Sequence, residues 1–243
     1  MIFLVFCQAA FSQVTVPAGN TYTSLNNRPL SVNDNHERLA SIYGAAELGI
    51  PAGSTITAIR YYLQSVSAPQ NTPMRVFLSN RNGTSYFSMI YQNVEPSAAP
   101  NYQGTFPASA FVPGGWINIP LTTPLLYTGN NIQVLVATDG GNSITESMSA
   151  KQFRWTTGPT NSSQYWYSWT SPFDDDDYGV PESGRPNIQF FYTTAGAAGT
   201  VSFDNSTFTV SENTNAGIIV YRNGGSTGSI SVDYSSRDGT ATA

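Results

Sequence analysis

The chain has 243 residues, enough for one large all-β domain or two ordinary ones, and charged residues make up only 10% of it. A formal net charge of -5, with no basic stripe to neutralise phosphates, excludes a nucleic-acid surface. With 21 Gly, 14 Tyr and 13 Phe among frequent Ser, Thr and Asn, the composition is that of an extracellular β protein solubilised by hydroxyls and amides.

Residues 1–12 open with the apolar run M-I-F-L-V-F-C, which reads as a signal peptide cut before Gln13, with Ala10 and Ser12 at the small positions. The run is too short for a membrane span of ~20 apolar residues, so no membrane span is expected. Cys7 follows Phe6, where a lipoprotein motif wants a small residue, and it is the only cysteine. The mature chain therefore has no disulfide or thiol chemistry, and its stability must come from packed sheets.

From Gln13 to Tyr192 short alternating runs follow one another without a helical pattern. Strands are expected at Leu39 to Tyr43, Ile56 to Leu63, Met74 to Leu78, Trp116 to Leu121, Ile132 to Ala137, Gln152 to Thr156 and Ile188 to Tyr192. Turn chemistry separates them at Pro51-Ala52-Gly53, Asn82-Gly83, Pro113-Gly114-Gly115, Gly129-Asn130 and Gly140-Gly141. Within the second run, Ile56 and Ala58 fall on one face but Ile59, Tyr61 and Leu63 on the other, which predicts a β-bulge near Thr57. Ile117, Ile119 and Leu121 should point into a core, as should Ile132, Val134 and Val136.

The fold expected for 13–192 is an antiparallel β-sandwich. I-Y-G-A-A-E-L-G-I-P-A-G-S-T-I-T-A-I-R-Y-Y, G-G-W-I-N-I-P-L-T-T-P-L-L-Y-T-G-N-N-I-Q-V-L-V-A-T-D and S-G-R-P-N-I-Q-F-F-Y together resemble jelly-roll-like modules of secreted bacterial surface proteins. That resemblance implies a non-catalytic module beside other domains.

After a small, uncharged linker at 193–200, residues 201–243 carry V-S-F, T-V-S-E, I-V-Y-R-N-G-G, V-D-Y-S-S and R-D-G-T-A. Ile218, Val220 and Arg222 lead into the Asn223-Gly224-Gly225 turn, and Ile230, Val232 and Tyr234 follow it, a hairpin signal. The set resembles the opening half of a Calx-beta domain, an Ig-like sandwich, and implies further domains beyond Ala243. Glu212 and Asp238 fall where that family places calcium-coordinating acids, with Asp233 or Asp204 as further donors; calcium wants six to eight oxygens, so these would form part of a site.

Asp174, Asp175, Asp176 and Asp177 form the densest charge cluster, read either as a second calcium candidate or as a solvated acidic loop. Just before it stand Tyr165, Trp166, Tyr167 and Trp169. In a strand Tyr165, Tyr167 and Trp169 share one face and Trp166 takes the other, so one set fills a core and the other can present rings for stacking on sugars.

Catalytic constellations are not evident. His36, the single histidine, stands in the polar N-D-N-H-E-R stretch, which reads as a loop, and without cysteine it cannot build a zinc site. Glu47 and Glu146 or Asp139 can be imagined as a glycosidase pair, yet nothing in the sequence singles them out. The sequence thus points to a structural or adhesive, non-catalytic part of a large secreted or cell-surface bacterial protein. The alternative is a carbohydrate-binding accessory module of an exported hydrolase.

Overall fold

The computed structural model describes residues 11–87, 90–91, 94–140, 146–174, 176–194, 200–203 and 220–223. Two compact units divide the chain, Ala10–Thr194 and a second formed by Met1–Ala9 with Ala195–Ala243.

In chain order the strands of the larger unit are β1 (Phe11–Val16), β2 (Ser24–Asn26), β3 (His36–Tyr43), β4 (Thr55–Val66), β5 (Thr72–Arg81), β6 (Tyr102–Phe106), β7 (Gly115–Leu126), β8 (Asn131–Asp139), β9 (Lys151–Thr157), β10 (Ser163–Ser168), β11 (Val180–Glu182), β12 (Gly184–Pro186) and β13 (Ile188–Thr193). One four-residue helix, α1 (Ala45–Leu48), interrupts them where no helix is expected from sequence. A seven-stranded sheet runs β1-β13-β4-β9-β12, with β7 on β4 and β2 on β9; a six-stranded sheet runs β11-β10-β3-β8-β5-β6. All pairings between these strands are antiparallel, and the chain switches sheets repeatedly, a jelly-roll-like β-sandwich.

Each of the seven expected strands lies within an observed one. The bulge in β4 falls where the phase slip put it: the register shifts between Ile56 and Ala58 against β7, and at the same place against β13. The extra residue lets Ile56 and Ile59 both face inward, each fully buried. Ile117, Ile119 and Leu121 of β7 and Ile132, Val134 and Val136 of β8 join them in the core between the sheets.

A second, smaller core lies on the far side of the six-stranded sheet. Ala40, Ile42, Phe77, Leu135 and Trp166 are covered there by Tyr86, Tyr91 and Val94 from the connection between β5 and β6. Both faces of β3 are therefore buried along all eight residues. His36 opens this strand rather than sitting in a loop, and its Nδ1 lies 3.2 Å from Asp139 Oδ1. A polar run can be a buried strand when each charge has a partner, and Glu37 and Arg38 have them.

In the smaller unit, β14 (Thr200–Phe203) pairs antiparallel with β15 (Val220–Asn223). Val220 and Tyr221 are about half exposed. The second hairpin strand at 230–234, with Glu212, Asp238, Asp204 and Asp233, lies outside the described residues. Among the described residues no helix is long and apolar enough to cross a membrane.

Candidate functional site

β10 pairs with β3 along its whole length, but with β11 only over Ser163, Gln164 and Tyr165. Among the described residues no strand pairs with its outer edge beyond Tyr165, and Asp177 of the loop after Trp169 is bonded to Trp166. A recess of about 310 Å³ results, walled by Tyr165, Trp166, Tyr167 and Phe173, with Asp174, Asp177 and Tyr178 from the loop.

Alternation along β10 sets the roles of its aromatic residues. Trp166 points to the small core and is 3% exposed, so its ring is wall rather than platform. Its indole N–H donates to the Asp177 carbonyl at 3.2 Å, and the Tyr91 N–H donates to the same oxygen at 2.9 Å. These bonds fasten the acidic loop to the sandwich. Tyr165 leans on the main core and stacks on Tyr167 with ring centroids 6.2 Å apart.

Tyr167 is 52% exposed and Tyr178 70% exposed, which makes them the open rings of the recess. Trp169 is also exposed, at 55%, but it follows the end of β10 and does not line the recess. Tyr178 is a site residue that strand alternation could not identify, because it belongs to the loop. The adjoining Gly179 was the available signal: a Cβ there would meet Trp166 Cε2 at 2.5 Å and Gln164 Cγ at 2.6 Å, so only glycine lets the loop close on β10.

Of the acidic run, Asp174 and Asp177 line the recess, Asp176 is exposed, and Asp175 lies outside the described residues. The Asp174 N–H donates to Asp177 Oδ2 at 3.0 Å, closing a turn. Among the described residues no group of three or more His, Cys, Asp or Glu converges as metal ligands would.

Behind Tyr165 sits a charge cluster that sequence reading missed. The Arg28 guanidinium lies over the Tyr165 ring at 4.2 Å, with Nε 3.2 Å from Glu37 and Nη2 3.9 Å from Asp34. Burial raises the Glu37 carboxyl, against the pull of Arg28, and raises Glu182 and Asp34 in the same way. Glu37 and Asp34 hold the guanidinium in place under the aromatic wall.

The acids considered for catalysis are each occupied. Glu47 takes both ends of the Arg185 guanidinium, at 2.7 and 2.5 Å. Glu146 pairs with the fully buried Lys151 at 3.0 Å and accepts from the Val32 and Gln70 N–H groups. Asp139 holds Arg38 at 2.8 Å as well as His36. Burial pushes the Asp139 carboxyl up, but the Arg38 charge, hydrogen bonds from His36 and Arg38, and the Arg75 charge outweigh it and leave it below its ordinary value.

No protein-family model and no curated protein matches the sequence. Among solved structures, the chain is similar to the cysteine protease and lectin-like domains of Cwp84, a surface-layer-associated protein of Clostridium difficile, at 11% identity and a TM-score of 0.39 over 66% of this chain and 32% of that one. It is similar also to the clostridial cysteine protease Cwp84 after propeptide cleavage, at 10% identity and a TM-score of 0.39 over 75% of this chain and 37% of that one. The chain thus spans about a third of the length of either neighbour, and at this level of likeness nothing is carried over from them.

Proposed function

We propose that the sandwich is a non-catalytic binding module that docks a glycan in the recess beside β10, as an adhesive part of a larger secreted or cell-surface bacterial protein. The observation that carries the reading is the pairing of two largely exposed tyrosines, Tyr167 and Tyr178, on one recess with carboxylates at its margin. Apolar ring faces beside hydrogen-bonding groups match the two faces of a pyranose, which offers C–H groups for stacking and hydroxyls for the rim. The fixed ion pairs of Glu47, Glu146 and Asp139 support a role in binding rather than hydrolysis.

Residues 201–243 are read as the opening strands of a Calx-beta domain, a structural neighbour of the module. The antiparallel pairing of V-S-F with V-Y-R-N, Phe203 opposite Val220, supports that reading. A glycan array probed with the full chain tests the function: binding to defined glycans is expected, and loss of the signal in Tyr167→Ala and Tyr178→Ala chains that melt at an unchanged temperature. Silence across the array, or signals indifferent to both substitutions, would reject it.

A further inference from the structure

The recess has a charge as well as a shape, and the charge selects among glycans. We propose that the preferred ligands are glycans carrying free amino groups, amino sugars without their N-acetyl caps; this rests on the glycan reading of the same recess. Asp174 and Asp177 both line it, and no Lys, Arg or His is among the described residues that do.

The nearest guanidiniums are committed elsewhere. Arg28 is engaged by Glu37 behind the Tyr165 ring. Arg38 is 3% exposed and is held by Asp139, the Tyr91 hydroxyl and two backbone carbonyls. Among the described residues no cationic side chain lines the recess; Arg28 and Arg38 lie behind its Tyr165 and Phe173 rings, each paired to a carboxylate there.

An ammonium group gains twice in such a place. It meets carboxylate oxygens, one of which is fixed by the bond from the Asp174 N–H to Asp177 Oδ2, and it can lie against the electron-rich faces of Tyr167 and Tyr178. A uronic acid would bring a like charge to the same point and be rejected. A volume of about 310 Å³, at the lower end of the ~300–1,000 Å³ typical of small-molecule sites, suits a ring-shaped residue stacked on tyrosine more closely than a thin lysine side chain.

The test is calorimetric titration of the full chain, in EDTA, with a glucosamine oligomer, the matched N-acetylglucosamine oligomer and a lysine oligopeptide of similar charge, at low and high salt. The glucosamine oligomer is expected to bind about tenfold tighter than its acetylated counterpart at low salt, with the margin narrowing at high salt. Asp174→Asn, which leaves the backbone bond of Asp174 intact, should narrow the margin between the two sugars, Asp177 remaining. Equal binding of both sugars to the wild-type chain would overturn the amine preference while leaving the glycan site standing. A lysine peptide that matches glucosamine, or binding that appears only when calcium replaces EDTA, would also overturn it. Absence of binding by either sugar, in EDTA or with calcium, would overturn the site as well.

Discussion

The indole N–H of Trp166 donates to the carbonyl of Asp177 at 3.2 Å, joining a buried strand residue to the acidic loop that completes the recess. Sheet and loop meet here, so binding geometry depends on a residue that a ligand need not touch. Trp166→Phe keeps a six-membered ring but loses the bond and the five-membered half of the indole. It should cost about 1 kcal/mol of stability from the hydrogen bond and loosen the loop. Urea unfolding and limited proteolysis after Ser171 would register both effects.

Gly179 permits the same closure. A methyl group at this position would collide with Trp166 and Gln164, so Gly179→Ala should destabilise by ~1–3 kcal/mol, the usual cost of overpacking. Thermal unfolding measures it. A melting temperature equal to wild type would show that the loop does not rest on β10 as described.

The buried pair Lys151–Glu146 gives a sharper test of packing. Lys151 Nζ is held also by the Leu30 carbonyl at 2.7 Å and the Thr72 hydroxyl at 2.6 Å, fastening the segment before β3 to the β9 strand. Lys151→Met alone leaves the Glu146 carboxylate buried without its cation and should cost ~3–5 kcal/mol. Adding Glu146→Gln should recover part of that loss, because the amide removes the unpaired charge while its carbonyl oxygen still accepts from a backbone N–H that Glu146 holds. Additive losses in the double variant would contradict the pairing.

Glu37 and Glu182, with Asp34 raised in the same sense, contribute to the pH dependence. Burial raises both carboxyls above their ordinary 4.5, with Arg28 opposing. The folded chain then keeps protons that the unfolded chain releases, so this contribution is complete below pH 4.5 and is lost as pH rises through the raised values. Asp139 acts in the other direction: it stabilises above its ordinary 3.8 and fails as pH falls through its lowered value. Maximum stability is expected in mild acid, and Glu37→Gln should flatten the decline toward neutral pH. Melting curves across pH decide this, and an unchanged decline in the variant would remove Glu37 from the account.

Periodicity reports which residues alternate, and it revealed the β4 bulge and the inward rows of β7 and β8 because both faces of those patterns are set locally. What covers a face is a long-range fact. Tyr86, Tyr91 and Val94 bury the outer side of the six-stranded sheet, and for that reason His36, Glu37 and Arg38 lie in a strand although their polarity suggests a loop. The aromatic residues of β10 were legible as a candidate surface. Which rings stay open depends on where β11 stops pairing, which no local pattern encodes. Arg28, far from Tyr165 in sequence, could not be placed behind it at all.

Glycan docking beside β10 is tested most directly by calorimetric titration of the full chain with an oligosaccharide found on the array, comparing wild type with the Tyr167→Ala/Tyr178→Ala double variant. Saturable binding is expected, weakening at least about tenfold in the double variant at unchanged melting temperature. Undiminished affinity in the double variant, or no heat of binding in the wild type, would contradict it.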